Sequence, residues 1–104
     1  MAVEITDNPQ ESRYEIRQDG ELAGFTLYHR HPGVITFVHT EIDPRFEHHG
    51  LADQLIRSVL DQARENGLAV VPICPFVRAY IERHPDYQDL VPEDRRREFN
   101  LPAA

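Results

Sequence analysis

Along the 104-residue chain the spacing of hydrophobic and polar positions switches between two periods. In RYEIRQDGELAGFTLYHR, Tyr14 and Ile16 alternate with charged residues, Asp19-Gly20 interrupts, and Leu22 to Tyr28 returns. Period-two alternation predicts half-buried strands, and Asp-Gly between two such runs predicts a hairpin turn with φ > 0. His31-Pro32-Gly33 marks a second turn. VITFVHTEI, Val34 to Ile42, is the most β-branched run; it is expected as the central strand, stopped by Asp43-Pro44. From Leu51 the period becomes 3.6, with Leu51, Leu55, Val59 and Ala63 in line and Ala52, Ile56 and Leu60 beside them. That predicts a helix from about Gly50 to Asn66, with Gly67 in the left-handed position that closes helices. LAVVPIC then reads as a short buried strand, which makes the helix a β-α-β crossover between parallel strands. Pro75 suits the first turn of a second helix reaching about Arg83, and His84-Pro85 ends it.

The order ββ-β-α-β-α implies an α+β fold, an α/β mixed sheet with antiparallel strands first and a parallel crossover later. At this length the chain is expected as one domain, residues 1–104, with its globular part at about 12–91. The first dozen residues read as a loose lead-in with a turn at Asp7-Asn8-Pro9. In the tail, PEDRRREF reads as a helical turn or a solvated extension.

Composition narrows the partners. Net charge is −7, and all eleven basic side chains are Arg. A non-specific nucleic-acid binder needs a basic face, so nucleic acid is not expected, whereas an amine substrate suits an acidic chain. No apolar run approaches the roughly 18 residues of a membrane span, and the acidic N-terminus is no signal peptide. One cysteine leaves no disulfide framework. A cytoplasmic protein with no membrane contact is the expectation.

The start of the first helix raises a chemical question. No Ser, Thr, Asp or Asn stands just before Leu51; the residues there are His48, His49 and Gly50. A helix start has about four backbone N–H groups without an intrahelical partner. Beside a glycine that admits a ligand to the backbone, those groups make an anion site at the carboxyl end of a strand. Water capping an exposed end is the plainer reading, and Asp53 in the first turn suits a helix without any ligand.

The order of strand, turn, G-L-A helix, strand, CPFV helix and RHPDY resembles a small member of the GNAT superfamily of N-acetyltransferases, over about Tyr14 to Val91. The resemblance implies that the pyrophosphate of acetyl-CoA sits on backbone N–H groups of a Q/R-x-x-G-x-G/A motif. Here the motif falls on Glu47-His48-His49-Gly50-Leu51-Ala52. Gly50 and Ala52 match; Glu47 replaces the basic first position and His48 a frequent glycine. The implied cofactor-binding residues are Thr40, His48, His49, Gly50, Leu51, Ala52 and Asp53, with Thr40 on the strand that pairs with the pantetheine arm. Acetyl-CoA is the implied co-substrate, and the acceptor is a small-molecule or protein amine.

Acetyl transfer needs a base for the amine and a proton for the leaving thiolate. His39 and Glu41 share one strand face and Thr40 the other, so either His39 or Glu41 is a candidate base; the plainer reading makes both solvent-facing sheet residues. Cys74, at the junction of the last strand and the second helix, lines the implied thioester position, as a candidate for an acyl-enzyme or a contact to the acetyl group; the plainer reading is a small buried hydrophobe. Tyr80 stands where many GNAT enzymes keep a proton-donating tyrosine, although Phe76, Val77, Tyr80 and Ile81 also read as a packing face. Six histidines invite a metal, but no spacing supplies the three or four ligands of a zinc site, and none is expected. The alternative to an N-acetyltransferase is a non-catalytic acyl-CoA-binding or protein-interaction module on the same fold.

Overall fold

Strand alternation and helical period both translate into the elements observed. The computed structural model describes residues 2–47 and 50–101. In chain order the elements are β1 (Val3–Asn8), β2 (Arg13–Gln18), β3 (Glu21–His31), β4 (Val34–Ile42), α1 (Leu51–Glu65), β5 (Ala69–Pro72) and α2 (Pro75–Arg83). Short 3₁₀ segments occupy Pro9–Glu11, Pro44–Phe46, Pro85–Leu90 and Glu93–Phe99. Asp19 and Gly20 take φ of 52° and 86°, the two-residue turn whose twist fits antiparallel strands.

One five-stranded sheet runs in the order β1-β2-β3-β4-β5. The first three pairings are antiparallel, and β4 with β5 is parallel through α1. The expected helix bounds hold within a residue, because Gly50 and Asn66 are the caps of α1. On α1 the buried stripe is Leu51, Leu55, Ile56, Val59, Leu60 and Ala63, the face read from the sequence. It packs on Tyr14, Ile16, Ile35, Phe37 and Val70. Each such side chain, fully buried, contributes about 1.5–3 kcal/mol. Beside α1 lies α2, with Val77, Tyr80 and Ile81 in the core and Arg83 reaching Asp53 at 3.7 Å. Among the described residues no helix is long and apolar enough to cross a membrane.

Three expectations change. The first dozen residues are not a loose lead-in: Val3–Asn8 is an edge strand, registered with β2 through Ile5↔Ile16. Val3 and Ile5 alternate with Glu4 and Thr6, and they are half-buried against the core. The packed unit also extends beyond residue 91, because Leu90, Val91, Phe99 and Leu101 are buried. The strand β4 is fourth of five rather than central, although it has neighbours on both sides.

A bulge in β4 sets the site's facing. Registration passes from Tyr28↔Phe37 to Leu27↔His39, so Val38 is the extra residue and is only half-buried. The parity slips by one. Ile35 and Phe37 face the core, and beyond the bulge it is Thr40 that does. His39 and Glu41 emerge on the opposite face, their side chains more than half exposed.

Candidate functional site

The two parallel strands part company near their carboxyl ends. Their registered pairs run from Val34↔Ala69 to Phe37↔Pro72, after which β4 continues to Ile42 and β5 stops. The Cys74 N–H donates to the Phe37 carbonyl at 2.8 Å, closing the base of the split. The Asp43 N–H donates to Ala23 O at 2.7 Å, on the β3 side. Strand alternation turns the backbone groups of Ile42 and Thr40 the other way, toward the split.

Asp43 then redirects the chain. Its carboxylate accepts from the Arg45 N–H at 2.9 Å and starts the Pro44–Phe46 turn that leads to α1. At the helix start Gly50 has φ 72° and ψ 14°, and no side chain among the described residues caps it. Its carbonyl accepts the first helical bond, from Gln54 N–H at 3.2 Å. A Cβ built on Gly50 would meet nothing within 4 Å. The sequence expectation of an uncapped, glycine-led start therefore holds. The reason for glycine is the positive φ, which strains any L side chain, rather than crowding by this chain.

Split and helix start meet in a cleft of about 490 Å³. Gly50, Leu51 and Ala52 bring the free N–H groups of the first turn, and Thr40 lies at the β4 wall. Ile42, Phe46, Leu51 and Phe76 give it apolar surface. Glu41, Glu47 and Asp53 supply carboxylates. No described residue lining the cleft is basic. Arg45 is turned away, held by Asp43 at 3.3 Å and Glu21 at 3.4 Å. Any anion here is held by the aligned N–H groups and the positive end of the helix dipole.

The expected site residues divide. Thr40, Glu41, Gly50, Leu51, Ala52 and Asp53 converge on the cleft. His48 and His49 lie outside the described residues. On the outer face of β4, His39 Nε2 stands 3.8 Å from Glu41 Oε1. Cys74 is only 1% exposed, and its sulfur lies 3.2 Å from the Thr40 hydroxyl, which donates to Thr26 Oγ1 at 2.9 Å. Tyr80 is buried in the seam between the helices, stacked on His84 at 3.9 Å. Burial first, then the carboxylates of Asp53 and Asp61, raise its pKa, against the lowering effect of Arg57. Neither Cys74 nor Tyr80 lines the cleft. Among the described residues no three metal-ligating side chains cluster.

Sequence reasoning missed Ile42, Phe46 and Phe76 as lining residues. A signal existed for Phe76: the buried stripe of α2 is Val77, Tyr80 and Ile81, spaced i, i+3, i+4, which leaves Phe76 outside it and 54% exposed. An exposed aromatic in a first turn, next to an uncapped helix, suggests an apolar wall of a site.

Residues 13–90 match the family described as GCN5-related N-acetyl-transferase. The solution structure of a GCN5-like protein of Staphylococcus aureus, assigned as an N-acetyltransferase, superposes with a TM-score of 0.65 at 25% identity, over 86% of this chain and 87% of that one. Its likeness agrees with the α+β mixed sheet read from the sequence. The ribosomal-protein-alanine N-acetyltransferase of Brucella melitensis biovar Abortus gives 0.54 at 25% identity, over 88% of this chain and 60% of that one. Ard1 from Thermoplasma volcanium, at 22% identity over 59% and 43% and a TM-score of 0.51, shares the fold. No curated protein matches the sequence closely enough to count as a relative.

Proposed function

The chain belongs to the GCN5-related N-acetyltransferase family, and from that premise we propose that it transfers the acetyl group of acetyl-CoA to an amine. The observation that carries this reading is the uncapped start of α1 opening on the split between β4 and β5. The residues present fit the cofactor. Gly50, Leu51 and Ala52 offer N–H groups to a pyrophosphate, and the open space beyond Gly50 leaves their approach free. Backbone groups of Thr40 and Ile42 face the split, where the pantetheine arm would pair. Phe46 and Phe76 cover its apolar length. Asp53 is offset by Arg83. This reading also assigns His48 and His49, next to Gly50 in the sequence, to the cofactor.

When bound, acetyl-CoA supplies a thioester carbonyl that an amine can attack and a thiolate that can leave. Glu41, on the outer face and also lining the cleft, accepts the proton of the incoming amine. His39, within 3.8 Å, orients Glu41 or passes that proton to solvent. Cys74 is buried and engaged with Thr40, so the transfer is direct, and Cys74 lies behind Thr40 rather than on the cleft wall. We assign Tyr80 to the helix seam rather than to proton donation.

The lone thiol and the acidic surface suit a reducing, cytoplasmic setting. Nucleic acid and membrane are not among the partners inferred. A protein amine is the second acceptor class to consider, from the name of the Brucella neighbour, a ribosomal-protein-alanine N-acetyltransferase.

Glu47 in the cleft supports a second reading, a module that binds acyl-CoA without turnover, because a carboxylate beside phosphate weakens binding. One experiment separates the two. Purified protein is mixed with acetyl-CoA, and free thiol is followed while small amines are added. Amine-dependent release supports transfer. A melting shift with CoA but no amine dependence over a broad pH range leaves the binding module.

A further inference from the structure

A second, smaller cleft of about 270 Å³ lies at the open ends of β3 and β4. It shares Glu41 and Ile42 with the cofactor cleft, so the end of β4 is the partition between them. Leu22 and Phe25 give it an apolar wall, and Glu41 and Asp43 give it carboxylates. At Gly24 the packing is tight: a Cβ there would come to 2.5 Å from both the Glu41 carbonyl oxygen and Ile42 Cδ1.

Charge decides what such a cleft accepts. The two arginines nearby among the described residues are already engaged. Arg45 is held by Asp43 and Glu21, and Arg13 donates to Glu15 at 2.8 Å while stacking over the Phe25 ring at 4.6 Å. Asp43 is likewise taken by Arg45. Among the described residues Glu41 is paired with His39 alone, at 3.8 Å, and its side chain is 62% exposed. One carboxylate beside an aromatic ring is thus left for a ligand.

We propose that this cleft is the acceptor subsite, and that it takes a small primary ammonium bearing a flat apolar group and no carboxylate. The proposal rests on the acetyl-transfer reading above and names its substrate class. The ammonium docks on Glu41, which also lines the cofactor cleft, and the apolar group lies along Phe25 and Leu22. At this volume the cleft is at the small end of ligand pockets, which selects a compact molecule. An amino acid or a carboxylate-bearing analogue is repelled by Glu41 and Asp43.

The test uses the whole isotope-labelled chain. 2-Phenylethylammonium, 3-phenylpropionate, phenylalanine and an alanine-led tetrapeptide amide are titrated in turn, with and without CoA, and backbone amide shifts are followed. Only the arylalkylammonium should move Gly24, Phe25 and Glu41. In turnover its KM should lie about tenfold or more below that of methylamine, the size of effect an apolar contact gives. Both Phe25→Ala and Leu22→Ala should narrow that preference, and Leu22, half out in solvent, keeps the test alive if the Phe25 variant fails to fold. Equal shifts from phenylpropionate, no shift at those three amides, or a larger response to the peptide would overturn the proposal. If CoA shifts the melt and methylamine drives thiol release while those amides stay still, the subsite falls and acetyl transfer stands. If the amides respond but no amine releases thiol, the cleft binds an ammonium without being an acceptor subsite, and acetyl transfer falls with that role.

Discussion

The Thr40 hydroxyl and the Cys74 sulfur lie 3.2 Å apart across the base of the split between β4 and β5. Thr40 faces inward only because the bulge at Val38 shifts the parity of β4. Cys74 is held at the same level by its N–H bond to Phe37 O. The pair ties the floor of the cofactor cleft to the start of α2, and the Thr26 hydroxyl continues it into the core.

This arrangement makes Cys74 a structural partner first. Cys74→Ala is expected to keep amine-dependent thiol release, and mass spectrometry should find no acetylated parent protein under turnover. Thr40→Val leaves the buried Thr26 hydroxyl without its Thr40 partner, at a cost of about 1–3 kcal/mol in chemical unfolding. Thr40→Ser, which keeps a hydroxyl, should recover most of that. Loss of turnover in Cys74→Ala at wild-type stability would instead favour a covalent path.

Acid should expose a second network. Glu15 is 4% exposed on the open sheet face, and accepts from Arg13 and Arg17 at 2.8 Å each and from Asn8 at 3.2 Å. Burial alone would push its pKa up, but the hydrogen bonds from Arg13, Arg17 and Asn8 outweigh that and hold it at about 2, against an ordinary 4.5. The folded-state pKa is therefore depressed. Its stabilisation, about 3 kcal/mol at most, is full above pH 4.5 and is lost as pH falls toward about 2. Glu15→Gln should lower stability at neutral pH and flatten the acid limb between those values. A parent and variant with parallel limbs would remove Glu15 as the cause.

Much of this was legible in the chain, for reasons that differ by element. α1 was readable because its face repeats through four turns and glycines stand at both ends. The hairpin was readable because Asp19-Gly20 permits few other conformations. β1 was lost because Asp7-Asn8-Pro9 marks a turn so clearly that the short V-E-I-T alternation before it carried little weight. The tail was lost because the polar run PEDRRRE separates Val91 from Phe99 and Leu101, which leaves too few apolar positions to set a period. In the site, the left-handed, uncapped start at Gly50 came through, since conformation leaves a trace in residue type. Side-chain roles did not: whether Cys74 or Tyr80 reaches the cleft depends on rotations that no spacing encodes, and the bulge that sets Thr40 inward leaves no mark in VITFVHTEI.

Ligand binding at the helix start is measurable without turnover. CoA at about a hundred times its Kd should stabilise the protein by about 2.7 kcal/mol, a shift of several degrees in a domain of this size. Gly50→Val should abolish the shift, since the φ of 72° is strained for a β-branched residue and the side chain would stand where the ligand approaches. Gly67→Val, at φ 66° on the far end of α1, carries similar strain and should retain the shift. Glu47→Arg should enlarge it by replacing a repelling charge. An unshifted parent would mean that water alone meets these N–H groups.

The N-terminal strand gives the last test, and here the structure reverses the sequence expectation. A loose lead-in could be removed without effect on the melt. As an edge strand, residues 3–8 pair with β2 along its whole length, and Val3 and Ile5 cover part of the core. The Tyr28 hydroxyl also donates to Asp7 at 2.5 Å; burial first, then that bond, raises the Tyr28 pKa. Deleting residues 1–8 exposes the β2 edge, the apolar surface under Ile5 and the Tyr28 hydroxyl together. The cooperative melt should fall by well over 5 °C, since about 1 kcal/mol moves a domain of this size by 4–8 °C. Tyr28→Phe in the full chain isolates one part, and should cost about 1–3 kcal/mol because Asp7 is a charged acceptor. A truncated protein that melts with the parent would show that β1 is paired in geometry but adds nothing to stability.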